Sequence, residues 1–330
     1  EDYNAQGGID VAGKRHKVEI VALDDQYKAA NALAAYQRLV TREGVKHIVV
    51  AAGVSTLALK PNMDDDKVVV MTAGYIANLL DPKSKYMYRM WGIPADYYPS
   101  IYGWLKGNTP ERRIAVINPD DESSREASAL SDKLLKQNGY TVVLNEMYEK
   151  ALRDFVPLLT KIIAQNPEMI DLGTTAPATG ALIIRQARDL GYKGRFFIPG
   201  SSAWREILAA LGPGMSEGIL NMVYVDPANE GYKAYAERYK KAVGQEPNES
   251  MAPYTDGTHV LIRSVAASGS VDDVSRFDAG FRKALPMKSM QGDMLTIGGG
   301  MAHGIDNQVA AFRYIGTLKD GELKIIGKIQ

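Results

Sequence analysis

Cysteine is missing altogether from this chain of 330 residues. Its absence excludes thiol nucleophiles, CxxC redox pairs and zinc–thiolate sites, and leaves the redox compartment unreadable from composition. An excess of charge is missing too: Lys+Arg and Asp+Glu each total 39, so the net charge is zero. No polybasic run offers a footing for nucleic-acid phosphates. Apolar runs such as Ile48 to Ala52 fall far short of the roughly 20 residues that span a bilayer. Histidine is scarce, and His16, His47, His259 and His303 form no i,i+4 pair that would favour zinc. No GxxxxGK[ST] occurs, and the glycine-rich stretch from Gly298 to Gly304 does not combine a preceding buried strand with a helix that it opens, so it is no dinucleotide fingerprint. Gly53 to Leu57 lacks the second glycine of a nucleophile elbow. The acidic clusters Asp64–Asp66 and Asp120–Glu122 read as solvated turns or helix N-termini favoured by the dipole, with calcium a distant second. The expectation is a protein that is not an enzyme and holds no metal and no cofactor.

What is present is an ordinary globular composition, 45% hydrophobic and 24% charged, in a chain too long for one typical domain. Short β-branched runs alternate with amphipathic helical stretches from start to end. Strands are expected over residues 16–23, 45–52, 67–72, 113–117, 140–144, 169–172 and 195–198, with helices over 29–41, 126–138, 154–165 and 180–190. Such alternation means βαβ units and parallel sheets. Gly and Pro interrupt the pattern at Met90–Asp96 and again at Tyr224–Asn229, which predicts two crossings between lobes. Lobe 1 is then 1–93 with 227–310, and lobe 2 is 94–226 with 311–330. A hairpin around Lys319–Glu322 closes the chain. The fold class is α/β, two doubly wound parallel-sheet lobes.

Ligands of open parallel sheets bind just past the strand C-termini. Five such places are rich in hydroxyls: Gly53–Thr56, Thr72–Tyr75, Glu122–Ser124, Gly173–Thr175 and Gly200–Ser202. Each alone reads as a helix N-cap, because Ser and Thr are preferred there. Together they describe an anion-compatible cleft, since exposed helix N–H groups bind carboxylates and phosphates.

These landmarks carry a likeness. The segments Asn4–Ile9, Leu23–Asp25, Asp81–Arg89, Arg113–Val116, Asp154–Leu159, Arg185–Gly191 and Gly200–Trp204, in this order and spacing, resemble the type I periplasmic solute-binding proteins of ABC transporters, specifically the branched-chain amino acid receptor family. The resemblance covers essentially the whole chain. It implies two lobes joined by a three-strand hinge, closure around a ligand in the interlobe cleft, and delivery to permease subunits. The implied location is periplasmic or extracellular, free or lipid-anchored, after removal of a signal peptide. Relative to the family pattern, the first strand and helix of lobe 1 are absent, and Glu1–Gly8 reads as the last turn of a helix ending on a glycine cap.

The resemblance also places the site. The family holds the ligand carboxylate at the loop occupied here by Ser55 and Thr56, with Gly74 and Tyr75 on the next loop. Tyr75 stands where the amino-acid receptors have a small Thr. Across the cleft, the family's tyrosines and acidic residue fall on Ser123, Thr175 and Ser202. An α-ammonium in a closed cleft needs a carboxylate partner. With Ser202 in the acid's place, the expected ligand is a carboxylate without an α-amino group, an aromatic or branched organic acid; Tyr75 and Trp91 read as a stacking wall for it, and Trp91, like Trp204, reads equally as a lobe-core aromatic. Two alternatives stay open. Asp121, Glu122 or Asp256 supplies a displaced acid and restores an amino-acid ligand, or the same fold serves as a ligand-sensing regulator or receptor ectodomain.

Overall fold

Strands that are apolar on both faces form the centres of two parallel sheets, as helix-covered sheets require. The computed structural model describes residues 2–200, 204–291 and 293–329. The chain divides into two units, residues 1–93 with 251–311 and residues 94–250 with 312–330.

Unit 1 opens with a short helix α1 (Asp2–Ala5) and a hairpin of β1 (Ile9–Val11) and β2 (Lys14–His16). It continues through α2 (Ala29–Thr41), β3 (His47–Val50), α3 (Gly53–Asp66), β4 (Val69–Thr72) and β5 (Met87–Arg89). Unit 2 then runs α4 (Pro94–Asn108), β6 (Arg113–Pro119), α5 (Glu122–Gln137), β7 (Thr141–Tyr148), α6 (Val156–Ile163), β8 (Met169–Asp171), α7 (Pro177–Asp189), β9 (Arg195–Ile198), α8 (Trp204–Ser216), β10 (Leu220–Val223) and α9 (Glu230–Val243). The chain returns to unit 1 for α10 (Met251–Ser268), α11 (Phe277–Ala284), β11 (Met287–Lys288), β12 (Met294–Gly298), α12 (Gly300–His303) and β13 (Gln308–Ala310). It ends in unit 2 with the hairpin β14 (Arg313–Lys319) and β15 (Glu322–Ile329).

The sheet of unit 1 has the order β11-β12-β13-β5-β4-β3. Strands β3, β4, β5 and β13 are parallel, and β12 and β11 add on antiparallel. Val69 and Met71 of β4 pack into one core cluster, Val70 into a second, the alternation that a strand imposes. Helix α2 buries Ala32, Tyr36 and Leu39, spaced four and three apart on one face. In unit 2 the order is β15-β14-β10-β9-β8-β6-β7, parallel from β7 to β10 and antiparallel beyond. Its core gathers Ile117, Ile170, Phe196 and Ile198 from the strands with Leu159, Ile183 and Ile207 from the helices.

Two expectations are corrected. The strand expected over 16–23 is not formed: β2 ends at His16, and residues 17–25 belong to no strand. The sheet order ends at β3, and no strand of the sheet pairs with this segment. The Asn4 side chain takes both the N–H and the C=O of Val18 instead, and Ile20 is left 78% exposed. The second division between units falls at 250/251 rather than 226/227. Tyr224–Asn229 is a turn into α9, in which Asp226 accepts from Ala228 N–H and Asn229 caps Tyr232 N–H. The segment between α9 and α10 is tied to α8, because Glu249 accepts from Trp204 Nε1 and lies 3.8 Å from Arg205 Nε.

Candidate ligand-binding site

In unit 1 the C-terminal ends of β3, β4 and β5 carry Ser55, Thr56, Gly74, Tyr75 and Trp91, so the structure gathers all five expected residues of this unit on one strand-end face. The turn after β4 presses against the start of α3. A Cβ on Gly74 would lie 2.7 Å from Gly53 Cα and 2.8 Å from Leu79 Cδ1, so only glycine permits this approach. A relay of hydroxyls fixes the two turns to each other. Gly74 N–H donates to Thr72 Oγ1 (2.8 Å), Thr72 and Thr56 hydroxyls lie 2.7 Å apart, and Thr56 Oγ1 donates to Ala52 O (2.8 Å). Each hydroxyl has one proton, so Thr56 spends its proton on Ala52 and Thr72 gives its own to Thr56. Thr56 is thus a latch within the fold, and it retains no free donor for a ligand.

Ser55 differs. It is fully buried, and its Oγ has no hydrogen-bond partner. A buried unpaired hydroxyl costs about 1–3 kcal/mol. It sits in the first turn of α3, whose cap residue Ala52 offers no side-chain acceptor. The first bonded N–H of this helix is that of Thr56, to Ala52 O, so the N–H groups of Gly53 to Ser55 have no helical acceptor. Beside them runs a row of rings, with Tyr75 and Trp91 centroids 6.1 Å apart and Trp91 and Tyr254 4.6 Å apart, edge to face. Trp91 Nε1 is buried and, like Ser55 Oγ, has no partner. Tyr254, on α10, escaped the sequence reading because nothing in the chain order links it to the ends of β3–β5.

In unit 2, Ser123 and Thr175 lie past the ends of β6 and β8, which are neighbours in the sheet. Ser202 lies outside the described residues. Asp121 caps α5, accepting from Ser124 N–H and Ser123 Oγ (both 2.9 Å), and pairs with Lys150 at 2.7 Å. These donors hold its carboxyl below the usual range although burial opposes them. Ser123 therefore offers only lone pairs. Thr175 Oγ1 accepts from Tyr148 Oη at 3.0 Å, and burial pushes the Tyr148 phenol up to about 12.

Two residues of this face were missed. Asn118 ends β6 fully buried. Its Oδ1 accepts from Thr174 N–H (3.0 Å), while its Nδ2 has no partner. A Cβ on Gly173 would lie 1.9 Å from Asn118 Oδ1, and Gly173 has φ +47, so the β8 turn exists only with glycine. Asp171 ends β8, also fully buried. Its oxygens lie 2.7 Å from Gly173 N and 2.7 Å from Tyr102 Oη, which is itself 2.7 Å from Ser131 Oγ. Desolvation raises its pKa to about 6 against these donors. A polar residue closing an apolar strand run was the available signal in both cases.

Of the acids held in reserve for an ammonium, Asp121 is engaged as above. Asp256, in unit 1, is buried and accepts from Ser289 Oγ (2.7 Å), Met290 N–H and Gln291 Nε2. Glu122 is exposed on the first turn of α5. No group of three His, Asp or Glu side chains suited to a metal occurs among the described residues, and no helix among them is long and apolar enough to cross a membrane.

Two α/β units with polar strand-end faces are an architecture on which small molecules bind past the strand ends. The chain belongs to the periplasmic binding protein family, which it matches over residues 1–321. These are solute-binding, non-enzymatic proteins with an extracytoplasmic location. Among curated relatives, an amino acid binding protein of Pseudomonas aeruginosa is 29% identical over 282 residues, covering 81% of this chain and 70% of the relative. Among solved structures, a leucine-binding protein from Thermotoga maritima has a TM-score of 0.82 at 23% identity, covering 98% of this chain and 91% of that one. A solute-binding protein of an ABC transporter from Rhodopseudomonas palustris, in complex with 3,4-dihydroxybenzoic acid, has a TM-score of 0.82 at 21% identity, covering 99% and 89%. At these identities the two structures speak to the fold alone.

Proposed function

We propose that this chain is the solute-binding component of an ABC importer, working in the periplasm or at the outer cell surface, free or lipid-anchored, and that its ligand is a small carboxylate without an α-amino group, an aromatic acid foremost. The observation that carries this reading is the unpartnered, fully buried Ser55 hydroxyl at the uncapped start of α3, beside the Tyr75–Trp91–Tyr254 row. A ligand carboxylate there receives the Ser55 proton and the free N–H groups of the first turn, and the helix dipole favours its charge by about 0.3–2 kcal/mol. The ring row gives an aromatic ligand edge and face contacts of about 0.5–1.5 kcal/mol each beyond burial.

An ammonium has less to meet. Asp121 and Asp256 are committed to internal donors, and a desolvated ammonium without a partner is strongly disfavoured. In unit 2, Ser123 offers a polar ligand group an acceptor and no donor. The relative that holds 3,4-dihydroxybenzoic acid shares this fold, which supports the reading. The leucine-binding relative shares it equally and defines the competing outcome. Isothermal titration with benzoate, 3,4-dihydroxybenzoate and leucine tests the proposal, alongside mass spectrometry of any molecule released on denaturation. Binding of the aromatic acids with leucine silent is expected. Tight leucine binding without aromatic-acid binding overturns the ligand class.

A further inference from the structure

Arg89 ends β5 and is fully buried. Its guanidinium faces away from solvent toward the turn that follows β4. Nη2 donates to Ile76 O at 2.7 Å and to Ala77 O at 3.3 Å. Nη1 lies 3.0 Å from His303 Nε2 and donates to Gln308 Oε1 at 3.2 Å. Arginine stays protonated in proteins and has no acceptor, so His303 Nε2 must accept and its ring proton sits on Nδ1. The turn that Arg89 grips is the one that places Gly74 against α3 and carries Tyr75. Between β4 and β5 this stretch has no regular structure beyond a single 3-10 turn at Ala77–Leu79. The planar guanidinium thus ties both carbonyls, through Nη2, to His303 and Gln308, through Nη1, in one fixed geometry, which a rotatable ammonium does not.

The same contact explains the glycine-rich stretch that carries no nucleotide chemistry. Helix α12 lies between Gly299 (φ +104) and Gly304 (φ +70), and it delivers His303 to Arg89. The backbone joins in, because Arg89 N–H donates to Asn307 O at 2.9 Å.

We infer that Arg89 is a positioning residue: with His303 and Gln308 behind it, it holds the Gly74–Leu79 turn in the shape that presents Tyr75, and thereby sets ligand affinity without touching the ligand. The inference rests on the reading of this face as the ligand site, and the test keeps the two apart. Hydrogen exchange of peptides spanning residues 73–80 is measured in ligand-free protein for wild type, Arg89→Lys, His303→Leu and His303→Gln. Titration with 3,4-dihydroxybenzoate follows. Arg89→Lys is expected to speed exchange in 73–80 about tenfold, the scale of one charge-assisted hydrogen bond, with unit 2 unchanged, and to weaken the probe about tenfold. His303→Leu keeps Arg89 in place and gives a smaller change in the same peptides. His303→Gln restores an acceptor and brings both readouts back toward wild type. Unchanged exchange in 73–80, or a rise spread evenly over unit 1, overturns the clamp. If wild type binds no aromatic acid, the ligand class fails, and the exchange measurement alone decides whether Arg89 holds the turn.

Discussion

Replacing Asp171 by Asn should stabilise the protein at neutral pH and leave it little changed near pH 4. Asp171 is fully buried in unit 2, and its pKa is pushed from 3.8 to about 6 by desolvation. Between those values the folded state holds a proton that the unfolded chain has released, so stability falls as pH rises from about 4 to about 6 and stays lowered above. Raising the carboxyl from 3.8 to about 6 corresponds to roughly 3 kcal/mol between the two ends of that window. Asparagine keeps the geometry. Its Oδ1 accepts from Gly173 N–H as the carboxylate does, and its Nδ2 donates to Tyr102 Oη, leaving the Tyr102 proton for Ser131. Urea unfolding of both proteins at pH 4, 5, 6, 7 and 8 supplies the comparison, since the other carboxylates titrate alike in each and cancel. The Asn variant should gain about 2–3 kcal/mol relative to wild type between pH 4 and pH 8. A constant difference across the series would show that Asp171 is ionised in the fold at little cost, and would refute the argument.

Ser55→Ala should separate stability from binding: thermal unfolding rises by the equivalent of up to about 1 kcal/mol as an unpaired buried hydroxyl disappears, while calorimetric affinity for 3,4-dihydroxybenzoate falls. A variant that loses stability instead would mean that Ser55 has a partner in the fold. Thr72→Val interrupts the relay from Gly74 N–H to Ala52 O and should cost about 1–3 kcal/mol by chemical denaturation, with no comparable loss expected for exposed Thr160→Val. Gly173→Ala adds a Cβ at 1.9 Å from Asn118 Oδ1 at a positive φ. It should destabilise by at least the 1–3 kcal/mol of a strained backbone, and wild-type stability on urea unfolding would contradict the close approach.

Much of the fold was legible because period and burial agree. Val69 to Thr72, buried on both faces, reads as an inner parallel strand from its run rich in β-branched residues. The hairpin of β14 and β15 reads from Asp320–Gly321 between alternating segments. Where the reading failed, local pattern met a non-local requirement. Residues 16–23 alternate like a strand, but a strand is completed by pairing, and no strand of the sheet pairs with residues 17–23. Pro227 looks like a crossing, yet in space it belongs to a capped turn into α9.

The site divides along the same line. Residue type and position past a strand end sufficed to select Ser55, Thr56 and Ser123 as hydroxyls near a helix start, but those cues are identical for a cap, a latch and a ligand donor. Only proton accounting tells them apart: Thr56 gives its proton to Ala52, Ser123 gives its proton to Asp121, and Ser55 gives its proton to nothing in the fold. The same accounting bears on ligand charge. An acid already engaged by fixed donors, as Asp121 and Asp256 are, presents little negative potential to an incoming ammonium, whereas an unpaired hydroxyl and open helix N–H groups have protons to offer an anion. Helix N–H donors beside a row of rings on the unit 1 face suit an anion with an apolar body, and this is the physical basis of the proposed ligand class.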